Sequence, residues 1–312
     1  MKSSLIRMNS AVLFGVLFLA LMFVGCGSRE QVHSSPPEEG AMKQVIIDGL
    51  KIRYIDEGEG MPLVLVHGIP TSSFLWRNMI GELSARWRVI APDLPGFGFS
   101  DPPPGGDYSI PHYANILEAF LEKLSIDNAA LVCHDWGGPI VLTYALRNPK
   151  KYQRLIIFDT FLHTNIPPLP LTYKIAKIRP FGELFTWLGG SNFARAGLES
   201  GVVDKSLISD EVYWRYYMPD GTPDKLNDTM LGTLRVEYLD DVRFIEKNLK
   251  TIDKPTLIIW GEEDTYLPIY LGDQIHNDIP GSIMEKIPNC GHFVQEDQPE
   301  LAAKLMVEFL DR

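Results

Sequence analysis

The chain has 312 residues, 45% of them hydrophobic and 22% charged, the balance of a globular protein large enough to bury a core without disulfide or metal staples. Its formal charge is −11 with no long basic run, so its surface as a whole repels nucleic acid and anionic lipid. Three cysteines, Cys26, Cys133 and Cys290, are too few and too far apart for a disulfide framework or a zinc site, and HExxH, GxxxxGK and GxGxxG patterns are absent, which argues against metal and nucleotide chemistry.

Lys2 and Arg7 precede an almost uncharged apolar stretch from Ala11 to Val24. This run is too short to cross ~30 Å of hydrocarbon comfortably and has the form of a signal-peptide hydrophobic region. Its end, Phe23-Val24-Gly25-Cys26, resembles the lipobox of bacterial lipoproteins, although leucine is usual where Phe23 stands. The resemblance implies a signal peptide over 1–25 and a lipidated Cys26, carrying fatty acyl chains such as palmitate. The protein would then be anchored in the bacterial cell envelope by its N-terminal lipid alone, facing the periplasm or exterior. An uncleaved anchor or ordinary secretion would export it equally. Residues 26–41 contain Ser34-Ser35-Pro36-Pro37-Glu38-Glu39-Gly40 and read as a flexible tether.

Beyond the tether, apolar runs of strand length alternate with helical patterns. Gln44–Ile47 and Ile52–Ile55 form an opening pair of strands, and Leu63–Val66 and Val89–Ala91 are short runs followed by loops. Asn115–Leu124 has helical spacing; Ala129–Cys133 is a buried strand, Ile140–Leu146 a helix and Leu155–Phe158 a strand. Leu257–Trp260 and Ile283–Ile287 are further strands, and a helix over Pro299–Leu310 closes the chain. Such alternation predicts a mostly parallel sheet covered on both faces. From 162 to 240 the rhythm breaks into helical fragments rich in aromatics, among them Tyr173, Trp187, Trp214 and Tyr238. This stretch reads as a helical cap over the C-terminal strand ends, where open α/β sheets bind ligands. Core segments are expected at 42–161 and 241–312.

The segment Ala129-Ala130-Leu131-Val132-Cys133-His134-Asp135-Trp136-Gly137-Gly138 is a strand entering a sharp turn and a helix. Serine hydrolases of this architecture carry their nucleophile at such an elbow. Here aspartate occupies the position. The chemistry differs accordingly. A serine alkoxide attacking saturated carbon would leave an ether that water does not cleave, whereas a carboxylate leaves an ester that activated water does cleave.

On these residues the chain resembles the haloalkane dehalogenase and epoxide hydrolase branch of the α/β-hydrolase superfamily. Four motifs carry the likeness in order: His67-Gly68-Ile69-Pro70-Thr71-Ser72-Ser73-Phe74-Leu75-Trp76-Arg77, Asp93-Leu94-Pro95-Gly96-Phe97-Gly98-Phe99-Ser100, Gly261-Glu262-Glu263-Asp264 and Gly291-His292-Phe293-Val294-Gln295-Glu296-Asp297. It implies an α/β-hydrolase fold: an eight-stranded, mostly parallel sheet with helices on both faces and a helical cap inserted after the sixth strand. It also implies Asp135 as nucleophile, His292 as general base and Asp264 as the acid orienting the imidazole. The backbone N–H groups of Ile69 and Trp136 would bind the oxyanion. The family also places its acid after the sixth strand, near Asp159 or Thr160, and matching the runs puts Thr160 there. His67 and His134 are expected to make structural hydrogen bonds, and His163 and His276 to lie at the surface. Cys133 and Cys290 are expected to pack as small buried residues rather than to pair.

Dehalogenases of this type hold the departing halide with indole N–H groups, here Trp136 and a cap tryptophan. Trp187 is the first choice and Trp214 the second, because Ile69 replaces the asparagine some relatives use. Epoxide hydrolases instead protonate the epoxide oxygen with cap tyrosines, for which Tyr213, Tyr216, Tyr217 and Tyr238 are available. Dehalogenation of a small apolar haloalkane is the leading expectation, with epoxide hydrolysis as the alternative and a silent binding module third. No cofactor beyond water is implied, and no nucleic-acid partner.

Overall fold

The computed structural model describes residues 42–168, 171–189, 191–219 and 223–312. The expected signal peptide, Cys26 and tether lie outside these residues. Eight strands, β1 Lys43–Ile47, β2 Leu50–Glu57, β3 Pro62–Val66, β4 Arg88–Pro92, β5 Ala129–His134, β6 Tyr152–Phe158, β7 Thr256–Gly261 and β8 Ile283–Ile287, form one sheet in the order β1-β2-β4-β3-β5-β6-β7-β8. β1 and β2 form a hairpin across Asp48-Gly49, both with positive φ, the backbone that an Asp-Gly turn of this kind requires. β2 pairs antiparallel with β4, and all later pairings are parallel. Leu63–Val66, all of β5 and all of β7 are buried, as unbroken apolar runs in a sheet covered on both faces should be.

The covering helices are α1 Arg77–Ser84, α2 Ile110–Lys123 and α3 Gly137–Arg147 in the first half of the chain. Between β6 and β7 come α4 Leu171–Ala176, α5 Phe181–Gly189, α6 Ser191–Ser200, α7 Asp210–Tyr217, α8 Pro223–Leu234 and α9 Leu239–Asn248. α10 Tyr270–Asp278, α11 Val294–Asp297 and α12 Pro299–Leu310 complete the fold. α2 packs on α3 and α3 on α9, while α1 packs on α12. The strands expected from sequence all form, most of them one or two residues longer. α1, α9, α10 and α11 were not anticipated. α1 and α10 are short, and each buries three residues: Met79, Ile80 and Leu83 in α1, and Leu271, Gly272 and Ile275 in α10.

Parallel register decides which residues meet at the strand ends. His134 pairs with Phe158, and Phe158 with Ile259. The next residues along are therefore Asp135, Asp159 and Trp260, so the turns after three adjacent strands open on one edge. The loop after β4 supports that edge. The buried Asp93 carboxylate accepts from the N–H groups of Ser73 and Phe99, each at 2.8 Å. Gly96 lies against α8, since a Cβ there would come 2.4 Å from the Thr229 hydroxyl oxygen.

One ion pair ties three separate segments together. Arg77 reaches Glu296 with both terminal nitrogens at 2.6 Å, and the Tyr216 hydroxyl donates to the same carboxylate. Arg77 opens α1, Tyr216 is in α7 and Glu296 follows the loop bearing His292. Removing one partner strands a buried charge, which costs more than the pair itself contributes. Arg77→Met is expected to lower stability by about 3 kcal/mol, measured as a fall in the urea midpoint; an unchanged midpoint would mean that Glu296 is adequately solvated without Arg77.

Candidate active site

Asp135 sits at the tip of the β5–α3 turn with φ 49°, a left-handed backbone that costs a non-glycine residue about 1–3 kcal/mol. Neighbouring chain holds it there. Its N–H donates to the Asp159 carbonyl at 3.1 Å, and its carbonyl accepts from the Gly138 N–H at 2.9 Å and the Thr160 hydroxyl at 2.6 Å. The turn must press against β3, and Gly137 allows it: a Cβ there would lie 2.5 Å from the Val66 carbonyl oxygen. Gly68 does the same from the other side, with a would-be Cβ 2.4 Å from the Asp135 side chain. The following Ile69 N–H donates to Asp135 Oδ1 at 2.7 Å. Trp136 stands at the start of α3, so its backbone N–H is among those a helix leaves without an internal partner.

His292 comes from the loop after β8. Its Nδ1 is 2.8 Å from Asp264 Oδ2, and its Nε2 is 3.6 Å from Asp135 Oδ2. Asp264 is fixed in turn, because Oδ1 accepts from the N–H groups of Tyr266 and Leu267 at 2.7 and 2.9 Å. Sequence-expected Asp135, His292 and Asp264 thus meet in one line. His134 donates from Nε2 to the His292 carbonyl at 2.9 Å, and His67 Nε2 accepts from the Leu94 N–H at 2.8 Å. Burial pushes these two histidines down to about 3 and about 4 respectively, so both are neutral structural groups.

Electrostatics within the line are lopsided. Burial opposes charge on His292, but the carboxylates of Asp264 and Asp135 outweigh it and hold the imidazolium well above the ordinary histidine range. Burial likewise opposes charge on Asp135, but the His292 hydrogen bond and charge, with the Ile69 N–H, hold its carboxyl below the usual value. The resting site is therefore a cation between two anions.

Asp159 places a second acid close to the line, next to the position that the strand runs give to Thr160. Thr160, expected at the alternative acid position, turns its hydroxyl to the Asp135 carbonyl. Asp159 is wholly buried at the end of β6; its Oδ1 accepts from the Gly261 N–H at 2.9 Å and its Oδ2 has no partner among the described residues. Burial first, then the charge of Asp264, raises its carboxyl well above the normal range. His292 bonds to Asp264 rather than to Asp159.

Asp135 and His292 open on a cavity of about 250 Å³. Phe161, Ile166, Leu234 and Phe293 give it apolar walls, and Trp136, Tyr173 and Tyr238 bring polar atoms. The Trp136 indole N–H is buried without an acceptor among the described residues. Its ring is packed edge-on against Tyr238, with centroids 5.5 Å apart. Of the tyrosines expected above Asp135, only Tyr238 lines this cavity. Tyr216 belongs to the Arg77–Glu296 pair, and Tyr213 and Tyr217 stack on each other beside Trp214. Tyr173 lines the cavity unforeseen; a tyrosine next to the Pro167-Pro168 entry into the cap was the available signal. The Trp187 side chain lies outside the described residues. His163, expected at the surface, is buried and bonded to Asp278 at 2.8 Å. Cys133 and Cys290 are both free, buried thiols.

A strand-turn-helix elbow, a histidine between two acids and a roofed cavity define an α/β hydrolase. Comparison with known proteins agrees. Residues 61–299 match the α/β hydrolase fold family, and the chain belongs to it. It is 34% identical to a haloalkane dehalogenase of Psychrobacter cryohalolentis over 278 residues, covering 84% of this chain and 88% of that one. It is 30% identical to the uncharacterized hydrolase YugF of Bacillus subtilis, covering 86% and 97%. Among solved structures, a meta-cleavage product hydrolase of Pseudomonas fluorescens (CumD) superposes with a TM-score of 0.73 at 26% identity, covering 86% and 97%.

The charge arrangement makes a direct prediction. Asp264→Asn removes one of the two anions that favour the imidazolium, so the His292 pKa is expected to fall. Nitrogen-edited NMR titration of the imidazole reads this; an unchanged pKa would mean that Asp135 alone sets the charge.

Proposed function

We propose that the protein cleaves a carbon–halogen bond at saturated carbon through an ester on Asp135, converting a small apolar haloalkane to an alcohol and halide. The observation that carries this reading is a carboxylate, rather than a hydroxyl, at the elbow. Ile69 engages Oδ1, which leaves Oδ2 to attack the carbon bearing the halogen. The O–C bond forms as the carbon–halogen bond breaks, and the halide takes the bonding pair. The buried Trp136 indole N–H is a donor for that anion.

The second half follows from charge. Esterification removes the Asp135 anion, one of two that keep His292 protonated, so the imidazole loses its proton more readily. Neutral His292 then takes a proton from water as the water oxygen attacks the ester carbonyl carbon, a contribution of ~10²–10⁴-fold. The developing oxyanion is Oδ1, already 2.7 Å from the Ile69 N–H. Collapse releases the alcohol, restores the carboxylate and leaves the proton on His292. Asp264 orients the ring throughout and stabilises its charged form.

One observation favours a second reading. Tyr173 and Tyr238 both line the cavity that holds Asp135. Burial raises both hydroxyls above the ordinary tyrosine value, so they stay protonated and can donate to an epoxide oxygen. Epoxide hydrolysis to a diol is the alternative on the same nucleophile.

The part from Met42 to Arg312 holds all eight strands and the whole family match. This extent is supported by the meta-cleavage product hydrolase, a solved chain of which 97% is covered by this one. Halide release by this part from chloro-, bromo- and iodoalkanes is expected, with a loss of more than ~10³-fold in Asp135→Asn. His292→Phe is expected to stop after the first half, adding the alkyl mass to the peptide that carries Asp135. Diols from epoxides without halide release would move the assignment to the second reading, and neither product would leave a binding module.

A further inference from the structure

We propose that the outer face of the segment from α4 into α5 is a membrane-docking surface that rests the cap on an anionic lipid bilayer. This extends the membrane contact beyond the lipid expected at Cys26 and stands on separate observations. Leu171 is 68% exposed and Ile178 is 55% exposed. They are the two most exposed large apolar side chains among the described residues. Leu184, in α5, is 43% exposed, less than Ile46, Phe244 and Leu239 elsewhere. Burying such side chains in the headgroup boundary is how interfacial helices bind.

Local geometry puts Leu171 and Ile178 on one side. Helical bonding runs past the end of α4, with the Lys177 N–H on the Tyr173 carbonyl at 3.1 Å and the Ile178 N–H on the Ile175 carbonyl at 3.0 Å. Leu171, Lys174 and Ile178 therefore repeat at helical spacing, and all three are exposed. The opposite side is closed. Ala176 and Gly182 are buried, and a Cβ on Gly182 would lie 2.2 Å from the Ala176 carbonyl oxygen.

Charge identifies the partner. On a chain of net charge −11, this short stretch carries Lys174, Lys177 and Arg179 against the single acid Glu183. Arg235, the residue after α8, engages Glu183 at 3.0 Å, Arg179 approaches the same acid at 3.6 Å and Lys177 approaches Glu237 at 4.0 Å, so four cations, Lys174 included, stand against two acids here. Near a surface, screening over a Debye length of ~8 Å lets the facing charges decide while the distant acids fade. Basic side chains flanking apolar ones match an anionic headgroup layer.

Position adds a use. Pro167, Pro168 and Tyr173 line the cavity, and Leu171 lies between them in the chain. A cap seated by this face would take up a substrate dissolved in the bilayer without its crossing water. That benefit rests on the apolar substrate proposed above; the docking itself does not.

Sedimentation of the Met42–Arg312 part with vesicles tests the docking independently of turnover. Vesicles of phosphatidylcholine with about one-third phosphatidylglycerol are expected to bind at least ten times more protein than pure phosphatidylcholine. The triple variant Leu171→Ser, Ile178→Ser, Leu184→Ser is expected to lose at least tenfold of that binding while keeping the wild-type melting temperature. Lys174→Glu with Lys177→Glu is expected to abolish the preference for the anionic vesicles. Leu301→Ser, on α12, is expected to leave binding unchanged. No binding to either vesicle, or binding that survives the triple variant, overturns the proposal. A dimer that the triple variant splits overturns it too, assigning the face to a second copy of the chain.

Discussion

His292 holds a proton between two carboxylates, and the rest of the architecture serves that arrangement. Removing three charged groups from water costs several kcal/mol per ion, and attraction alone does not return it. Hydrogen bonds make up the difference. Asp264 takes two backbone N–H groups on the oxygen that does not face His292, and Asp135 takes one from Ile69. A third carboxyl group, Asp159, is buried in the same site, and burial together with the charge of Asp264 raises it well above the normal carboxyl range. Asp159 also bridges two strand ends, because its carbonyl takes the Asp135 N–H and its carboxyl takes the Gly261 N–H. One residue thus couples the turn after β5 to the end of β7.

Close backbone approach makes the arrangement possible. Gly68 and Gly137 let the elbow sit against β3, and Gly261 lets β7 approach the residue before His292, since a Cβ there would be 2.0 Å from the Gly291 carbonyl oxygen. These contacts fix where Oδ1 lies. In the proposed reaction the N–H that steadies the resting carboxylate would be the one facing the oxygen that becomes negative when water attacks the ester, so no donor would have to be recruited, which is the advantage of a preorganised polar site.

Much of this was legible in sequence because it depends on local pattern. Strand runs such as Leu63–Val66 and Ala129–Cys133 are continuous and apolar, and parallel strands buried on both faces require that. The elbow, the acid after β7 and the histidine loop stand in short motifs whose glycines mark close approaches. What escaped depends on contacts distant in sequence. Asp159 and Thr160 are adjacent, and only the sheet register and the Thr160 bond to the Asp135 carbonyl distinguish their roles. His163 looks like a loop residue until Asp278 meets it from α10. The cap was hardest, since its tyrosines are alike in sequence. Tyr216 is claimed by an ion pair whose members are 139 and 80 residues away, whereas Tyr173 and Tyr238 reach the cavity from opposite ends of the insertion.

That distribution divides labour within the molecule. The core supplies charge and strained backbone, and the chemistry available to Asp135 is set there. Under the proposed reaction, selection between a halide and an epoxide oxygen would fall to the donors that line the cavity, Trp136 from the elbow and Tyr173 and Tyr238 from the cap. The cap is held to the core along one side. Tyr216 joins the Arg77–Glu296 pair, Lys225 reaches the Gly98 carbonyl at 2.6 Å and Thr229 reaches the Gly96 carbonyl at 3.1 Å. α7 and α8 are thereby fixed to the loops that position the catalytic line. α4 and α5 lie at the start of the insertion, and the exposed Leu171 and Ile178 are in and just after α4. A cap fixed where it must keep the site in register, and apolar where these residues are exposed, can vary on its outer side without disturbing what reacts.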